Sequence, residues 1–477
     1  MNIKKILYTT AVSTLILGYS SCKDEDGSSY PEGSGPVTVN KVYLLNIDDT
    51  TGHKEREVEF ARLGQTLRLD GSGFGGTLKL LVNGYETFFN SALVTDNNII
   101  FSLSGTTPVA GADESVRNKI QFVKSSGTYS YDFVIRAASP KITSISPSIP
   151  QPGETVKVSG YNLEEVSEVT LPGGVKVTDG IVNAPEEETG EWFTFVMPDG
   201  VTENGAITIT GANGQAISGA YFNDFDCFIT DFDGKGELGS WGQTFSSDDL
   251  ADDPLNSGRG KVAVLIPGIG VSGAKYENGL NVKATGEYWA TAGNDNANDD
   301  WTRMTSSIPA ETPLENVAIQ FDVYVDGVWD KAGQLEISLK NNLVNYGYGS
   351  TETKPGHPNN GACVWVPWFN PDNPSETIPY ETGEKWETVT IPLTNFGIFS
   401  DGEAHTFQEI IDFRNSKDNG SYKNFLVFCS NVYDKMTYQK DKDSDPEVVP
   451  YAKVFDSKIY IDNFRVVNIK TTTVSDF

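Results

Sequence analysis

At 477 residues the chain is too long for one ordinary core, and its length implies roughly three domains. A formal charge of −29 excludes nucleic acid, whose phosphates need a Lys/Arg surface, and excludes basic attachment to anionic lipid. Glycine at 47 residues, proline at 23 and aromatics at 11% favour short strands and turns over helices. A neutral partner such as a polysaccharide meets no charge penalty on such a surface. The three histidines, His53, His357 and His405, show no local metal-ligand pairing.

Lys4 and Lys5 precede an apolar run from Ile6 to Gly18, then Tyr19-Ser20-Ser21-Cys22. This is the order of a secretory signal, and the run is short of the roughly 20 apolar residues of a membrane span. The phrase resembles a bacterial lipobox, although Tyr19 stands where leucine is usual. The following Lys23-Asp24-Glu25-Asp26 resembles the acidic export tag of Bacteroidetes surface lipoproteins. The resemblance implies a signal peptide over 1–21 and acylation of Cys22, hence a lipid anchor in the outer membrane. A plain cleaved signal with a chance cysteine is the alternative. Cys227, Cys363 and Cys429 remain, an odd number that is no disulfide framework. Both one pair and buried thiols stay open. Residues 22–38, rich in Gly, Ser and Pro, read as a tether.

From 39 to about 222 the chain repeats itself weakly. Gly64-Gln65-Thr66-Leu67-Arg68-Leu69-Asp70-Gly71-Ser72-Gly73-Phe74 aligns with Gly153-Glu154-Thr155-Val156-Lys157-Val158-Ser159-Gly160-Tyr161-Asn162-Leu163. Each copy is a turn, then a strand of period two, then a glycine with an aromatic beside it. Pro140-Lys141-Ile142-Thr143-Ser144-Ile145-Ser146-Pro147, with Gly160-Tyr161-Asn162-Leu163, resembles the immunoglobulin-like IPT/TIG domain; the first copy resembles it more loosely. Two sandwiches follow as expectations, over 39–138 and 139–222. Trp192, in an alternating strand, is expected to pack in a core. The pair reads as spacers, with a protein-binding role as the alternative.

Beyond residue 222 the composition shifts, and seven of the eight tryptophans lie there. Val317, Ile319, Phe321, Val323 and Val325 alternate with Gln320, Asp322, Tyr324 and Asp326, and further strands cover Leu335–Leu339, Phe425–Phe428 and Ile459–Val466. Many strands over about 250 residues without a strong helical period predict a jelly-roll sandwich over 223–470. The fold class is therefore all-β, two immunoglobulin-like sandwiches followed by a larger jelly roll. Ile229-Thr230-Asp231-Phe232-Asp233-Gly234, Lys385-Trp386-Glu387-Thr388-Val389 and Tyr460-Ile461-Asp462-Asn463-Phe464 resemble strands of jelly-roll carbohydrate-binding modules. That resemblance implies core roles for Trp241 and Trp386, and places Asp233 near Asp462, where such folds hold a structural calcium. An ordinary hydrogen-bonded edge is the alternative, and no other cofactor is implied.

In this order of domains the chain resembles the surface glycan-binding proteins encoded with outer-membrane glycan-import systems, closest to those binding xyloglucan and related β-glucans. The resemblance implies a non-catalytic lipoprotein on the cell surface that captures a neutral plant polysaccharide beside a glycan transporter complex. Flat C–H faces of a β-linked hexose stack on aromatic rings, each contact adding about 0.5–1.5 kcal/mol beyond area burial. Trp365-Val366-Pro367-Trp368 puts two indoles on a loop, because Pro367 cannot sit inside a sheet. Trp329 follows a strand at a turn. These three rank first as glycan binders, followed by Trp289, Tyr346 and Tyr348. Trp301 stays unassigned, and the polar run Asn294–Asp300 reads as a loop or a metal site. A glycoside hydrolase is the competing function, with Asp322, Asp326 and Glu336 as available carboxylates. No catalytic residue is assigned, and a protein-binding adhesin is a third reading.

Overall fold

The computed structural model describes residues 35–46, 55–234, 250–265, 284–289, 300–330, 334–340, 361–373, 376–416, 425–430, 457–472 and 474. Cys22, Trp241, Tyr346, Tyr348 and the run 294–299 lie outside them. The chain forms two compact units, Met1–Ile135 and Arg136–Phe477.

The first unit is a sandwich of antiparallel strands. One sheet runs Glu55–Glu57, Thr38–Leu45, Thr66–Ser72, Asn98–Ser102, and the other Tyr85–Thr87, Thr77–Val82, Lys119–Lys124, Gly127–Asp132. The period-two pattern decides which side is buried. Leu67 and Leu69 enter the core with Ile99, Leu80 and Phe122, while Arg68 stays outside, bonded to Asp70 and Glu55.

The second unit opens with a similar sandwich. Lys141–Ser146, Thr155–Tyr161, Trp192–Val196 and Val182–Asn183 make one sheet, and Lys176–Val177, Glu168–Thr170, Thr208–Gly211 and Gly214–Ile217 the other. The aligned glycines have one cause in both copies. A Cβ on Gly71 would stand 1.9 Å from the Thr38 carbonyl oxygen, and one on Gly160 would stand 1.9 Å from that of Lys141. Phe74 and Leu163 close over the same two positions. In both copies the neighbouring strand shifts register there, between Val39 and Lys41 and between Ile142 and Ser144. Each glycine therefore lets a bulged strand approach. Trp192 departs from expectation. Phe193 and Phe195 take the inward positions of its strand, so Trp192 lies half-buried on the outer face with Lys157 Nζ 4.8 Å from its ring centre.

The rest of the unit is the two-sheet jelly roll. The larger sheet runs Ala251–Asp252, Lys261–Leu265, Lys458–Asn468, Val317–Asp326, Glu387–Pro392, with Phe228–Thr230 also paired to Lys458–Asn468. The smaller runs Ala284–Trp289, Leu426–Ser430, Gln334–Ser338, Ala362–Trp365. Between them lies a core of Val317, Ile319, Phe321, Val323, Leu335, Ile337, Val427, Ile461 and Phe464. An α-helix, Phe407–Asn415, follows Thr406, whose N–H donates to the Glu409 carboxylate at 3.2 Å.

The alternating residues of Val317–Asp326 predict a polar, solvated face, yet that face is buried. The second sandwich covers part of it. Ala318 and Val467 join that sandwich's core, and Tyr324 and Tyr460 pack with Trp386. Between these apolar zones sits a polar cluster. Asp322, wholly buried, receives Arg259 Nη1 at 2.8 Å, Thr388 Oγ1 at 2.6 Å, Asn463 Nδ2 at 3.0 Å and Arg465 Nη2 at 3.3 Å. The second sandwich completes the set: Ser148 Oγ donates to Gln320 and accepts from Arg465, and the Ile149 carbonyl accepts from Arg259. Burial raises the Asp322 carboxyl, but the charges of Arg465 and Arg259 outweigh it and leave the group below the usual carboxylate range. The second sandwich is thus continuous with the jelly roll.

Candidate functional site

The smaller jelly-roll sheet has one face on the core, through Leu335, Ile337, Phe425 and Val427. The intervening register positions form its other face. There Glu336 stands opposite both Val364 and Phe428, Phe428 opposite Glu287, and Leu426 opposite Trp289. Trp289 pairs in register with Leu426, on the edge strand farthest from Trp365. A strand that is apolar at every position, Phe425-Leu426-Val427-Phe428, is the sequence signal for two apolar faces.

At the edge of this sheet Trp365 is clamped. Its ring meets Phe321 at 5.3 Å and 82°, Trp329 at 5.6 Å and 82°, and Tyr380 at 5.7 Å and 85°. All three are edge-to-face contacts, which suit the aromatic quadrupole and fix the indole plane. Tyr380 Oη donates to Glu387 at 3.1 Å, and burial together with that carboxylate pushes the phenol well above its usual range, so it remains a donor. Trp365 keeps part of its surface exposed.

Trp329 and Trp368 are placed otherwise. Each is 1% exposed, within the core cluster. The chain after Pro367 folds back: Ile378 N–H donates to the Trp368 carbonyl at 3.0 Å, and Trp329 and Tyr380 exchange backbone bonds of 2.9 Å. A loop braced by a second strand segment can bury large rings, and their area favours it. The three indoles therefore share no exposed plane; Trp329 supports Trp365 from below. Tyr380, passed over in the sequence, supplies the second wall. Trp301 is also core, with the Arg414 guanidinium 4.0 Å from its ring centre, and Trp386 is core with its indole N–H on Asp253 at 3.1 Å.

Asp322 is wholly buried, out of reach of a glycan as either acid or nucleophile, and its contacts hold it ionised. Asp233 and Asp462 are two carboxylates of an incomplete calcium set. Calcium takes about six to eight oxygens, and the described residues hold no group of three metal-binding side chains. Asp233 Oδ1 instead accepts the Lys261 N–H at 2.9 Å. Asp462 Oδ1 accepts the Asn463 N–H at 2.7 Å, while its Oδ2 is buried without a hydrogen bond. Burial first, and the Asp322 charge second, push the Asp462 carboxyl well above the usual range. Cys227 is a buried thiol, raised to about 11 by burial.

Residues 222–468 match the family model described as the surface glycan-binding protein B xyloglucan binding domain. An IPT/TIG domain-containing protein of Bacteroides ovatus is 28% identical over 203 residues, which are 42% of this chain and 36% of that protein. The chain thus spans little more than a third of this relative. Among solved structures, the surface glycan-binding protein PbSGBP-B from Prevotella bryantii matches with a TM-score of 0.60 at 20% identity, over 91% of this chain and 99% of that one. SGBP-B from a complex xyloglucan utilization locus in Bacteroides uniformis covers 91% of this chain and 100% of that one, at 17% identity and a TM-score of 0.43, too low to carry an argument. Since the matched domain takes up just over half of the 477 residues, the chain belongs to the surface glycan-binding protein B family.

Proposed function

We propose that the chain is a non-catalytic surface lipoprotein, anchored through Cys22, which captures xyloglucan or a related neutral β-glucan or β-mannan for an outer-membrane import system. The observation that carries this reading is the immobilised, part-exposed Trp365 at one edge of the smaller jelly-roll sheet; Trp289, at the opposite edge and on the alternate register, is proposed as a separate contact. A fixed indole loses little freedom on stacking against a sugar face, so more of the contact energy appears as affinity. The acidic surface favours a neutral polymer, and the ion-paired Asp322 argues against hydrolysis. Tyr346 and Tyr348 remain proposed contacts.

Affinity electrophoresis in xyloglucan gels tests this. Retardation is expected to fall about tenfold in apparent affinity for Trp365→Ala and for Trp289→Ala, the cost of one stacked ring with its buried area. Trp365→Phe should recover part of the loss. No reducing sugar should appear on prolonged incubation. Unchanged mobility of both alanine variants would refute the site, and released oligosaccharide would establish the hydrolase instead.

A further inference from the structure

A cleft of about 450 Å³ opens in the first sandwich between Thr38–Leu45, the segment around Glu57–Glu59, and the end of Gly127–Asp132. Its floor is apolar: Val42 and Phe133 are buried, and the half-buried Tyr131 ring stacks on Phe133 at 6.4 Å and 21°. Its rim is polar, with Asn40, Glu57, Glu59, Asn118 and Asp132. The volume lies within the roughly 300–1,000 Å³ of small-ligand sites, and the exposed lining is more polar than apolar.

Two details separate this cleft from a mere sandwich edge. Asn40 is the extra residue where the strand shifts register, a device that re-aims a side chain beside a site. The corresponding residue of the second sandwich, Thr143, has its hydroxyl committed to the Ser159 carbonyl at 3.1 Å. Asn118, in the left-handed conformation that asparagine tolerates, is fixed at the rim by donating its N–H to Asn83 Oδ1 at 2.8 Å and accepting the Ile135 N–H on its side-chain oxygen at 3.0 Å. Lys41 is neutralised by Glu57 at 2.8 Å, so the rim keeps a negative balance from Glu59 and Asp132.

We propose that this cleft is a second saccharide subsite, taking one or two neutral hexose units of the captured polymer. The proposal rests on the glycan-binding reading above. Tyr131 and the apolar floor meet a pyranose C–H face, the Asn40 amide both donates and accepts, the Asn118 amide nitrogen donates, and the carboxylates accept hydroxyl protons. The same negative rim disfavours uronic acids and phosphorylated ligands.

The test uses the full chain in xyloglucan-gel electrophoresis, with Tyr131→Ala and Asn40→Ala made both in the parent and in Trp365→Ala. Asn40 lies at the rim, so its variant guards against a Tyr131→Ala protein that fails to fold. Trp365→Ala should retain weak retardation, which either added substitution lowers about five- to tenfold, the effect of one lost ring or its polar partner. Residual retardation that neither substitution changes overturns the second subsite, and so does an absence of residual retardation; both leave the C-terminal site standing. If Trp365→Ala and Trp289→Ala alter nothing while Tyr131→Ala abolishes retardation, the subsite stands and the C-terminal reading falls.

Discussion

Replacing Asp322 with asparagine puts the join between the second sandwich and the jelly roll to a direct test. The carboxylate receives four hydrogen bonds, two of them from buried guanidinium groups. Asparagine keeps the shape but turns one oxygen into a donor facing an arginine. Removing one partner of a buried ion pair costs about 3–5 kcal/mol, because the remaining charge stays out of water. Two compensations pull the value toward the lower end. Glu154 lies 3.5 Å from Arg259, and Asp462, whose carboxyl is held up first by burial and second by the Asp322 charge, loses the second of these. A loss of about 3 kcal/mol is therefore expected. Urea unfolding followed by tryptophan fluorescence reads the second unit alone, since all eight tryptophans lie beyond residue 135. With a slope of about 3 kcal/mol/M, the midpoint should fall by about 1 M. A fall of less than about 0.3 M would mean that the cluster is solvated in solution and that the reasoning is wrong.

Asp462→Asn should behave oppositely. In the folded state this carboxyl holds its proton above the ordinary value of 3.8, so the folded chain binds more protons than the unfolded one across that window. The parent therefore loses stability as pH rises from about 4 toward the raised pKa, and the asparagine variant should not, as thermal melts between about pH 4.5 and 8 would reveal. A loss above about 1 kcal/mol in the variant at neutral pH would contradict a protonated Asp462. His405 is raised by its bonds to Glu409 at 2.7 Å and Asp401 at 3.0 Å, so its contribution is complete below pH 6.5 and fades as pH climbs through the folded value. His405→Gln should flatten that slope in melts taken at about pH 5.5 and 8.5. Gly160→Ala should cost about 1–3 kcal/mol in chemical denaturation, because its methyl meets the Lys141 carbonyl and the strands must part. Trp329→Ala should lower stability by about 3–5 kcal/mol, and with it the Trp365 contact, whereas a weaker retardation at unchanged stability would return Trp329 to the surface.

The all-β architecture was legible because alternation and turn chemistry are local properties. Leu67 and Leu69 against Arg68 announce a half-buried strand wherever it ends up. The paired glycines Gly71 and Gly160 were visible as a repeat, although only the structure supplies the carbonyl that forbids a side chain. What stayed hidden depends on which element covers which. Gln320 and Asp322 read as a solvated face because alternation reports polarity and says nothing about what packs there. Trp368 read as exposed because Pro367 rules out a strand, but a loop folded back against Ile378 buries a ring as well as a sheet does. Trp192 failed in the other direction, since the phenylalanines beside it compete for the inward positions and take them. Trp365 alone of the three favoured indoles stays part-exposed, and its clamp required Tyr380, which is bridged to Trp329.

The polar cluster also bears on how such a chain changes over generations. Ser148 bonds both Gln320 and Arg465, so three residues far apart in sequence form one unit of inheritance. A jelly roll transplanted onto a different sandwich would bring buried arginines with no hydroxyl or carbonyl to receive them. Shuffling should therefore move the second sandwich and the jelly roll as a pair. The first unit, whose core is its own, is the part free to be exchanged, duplicated or lost.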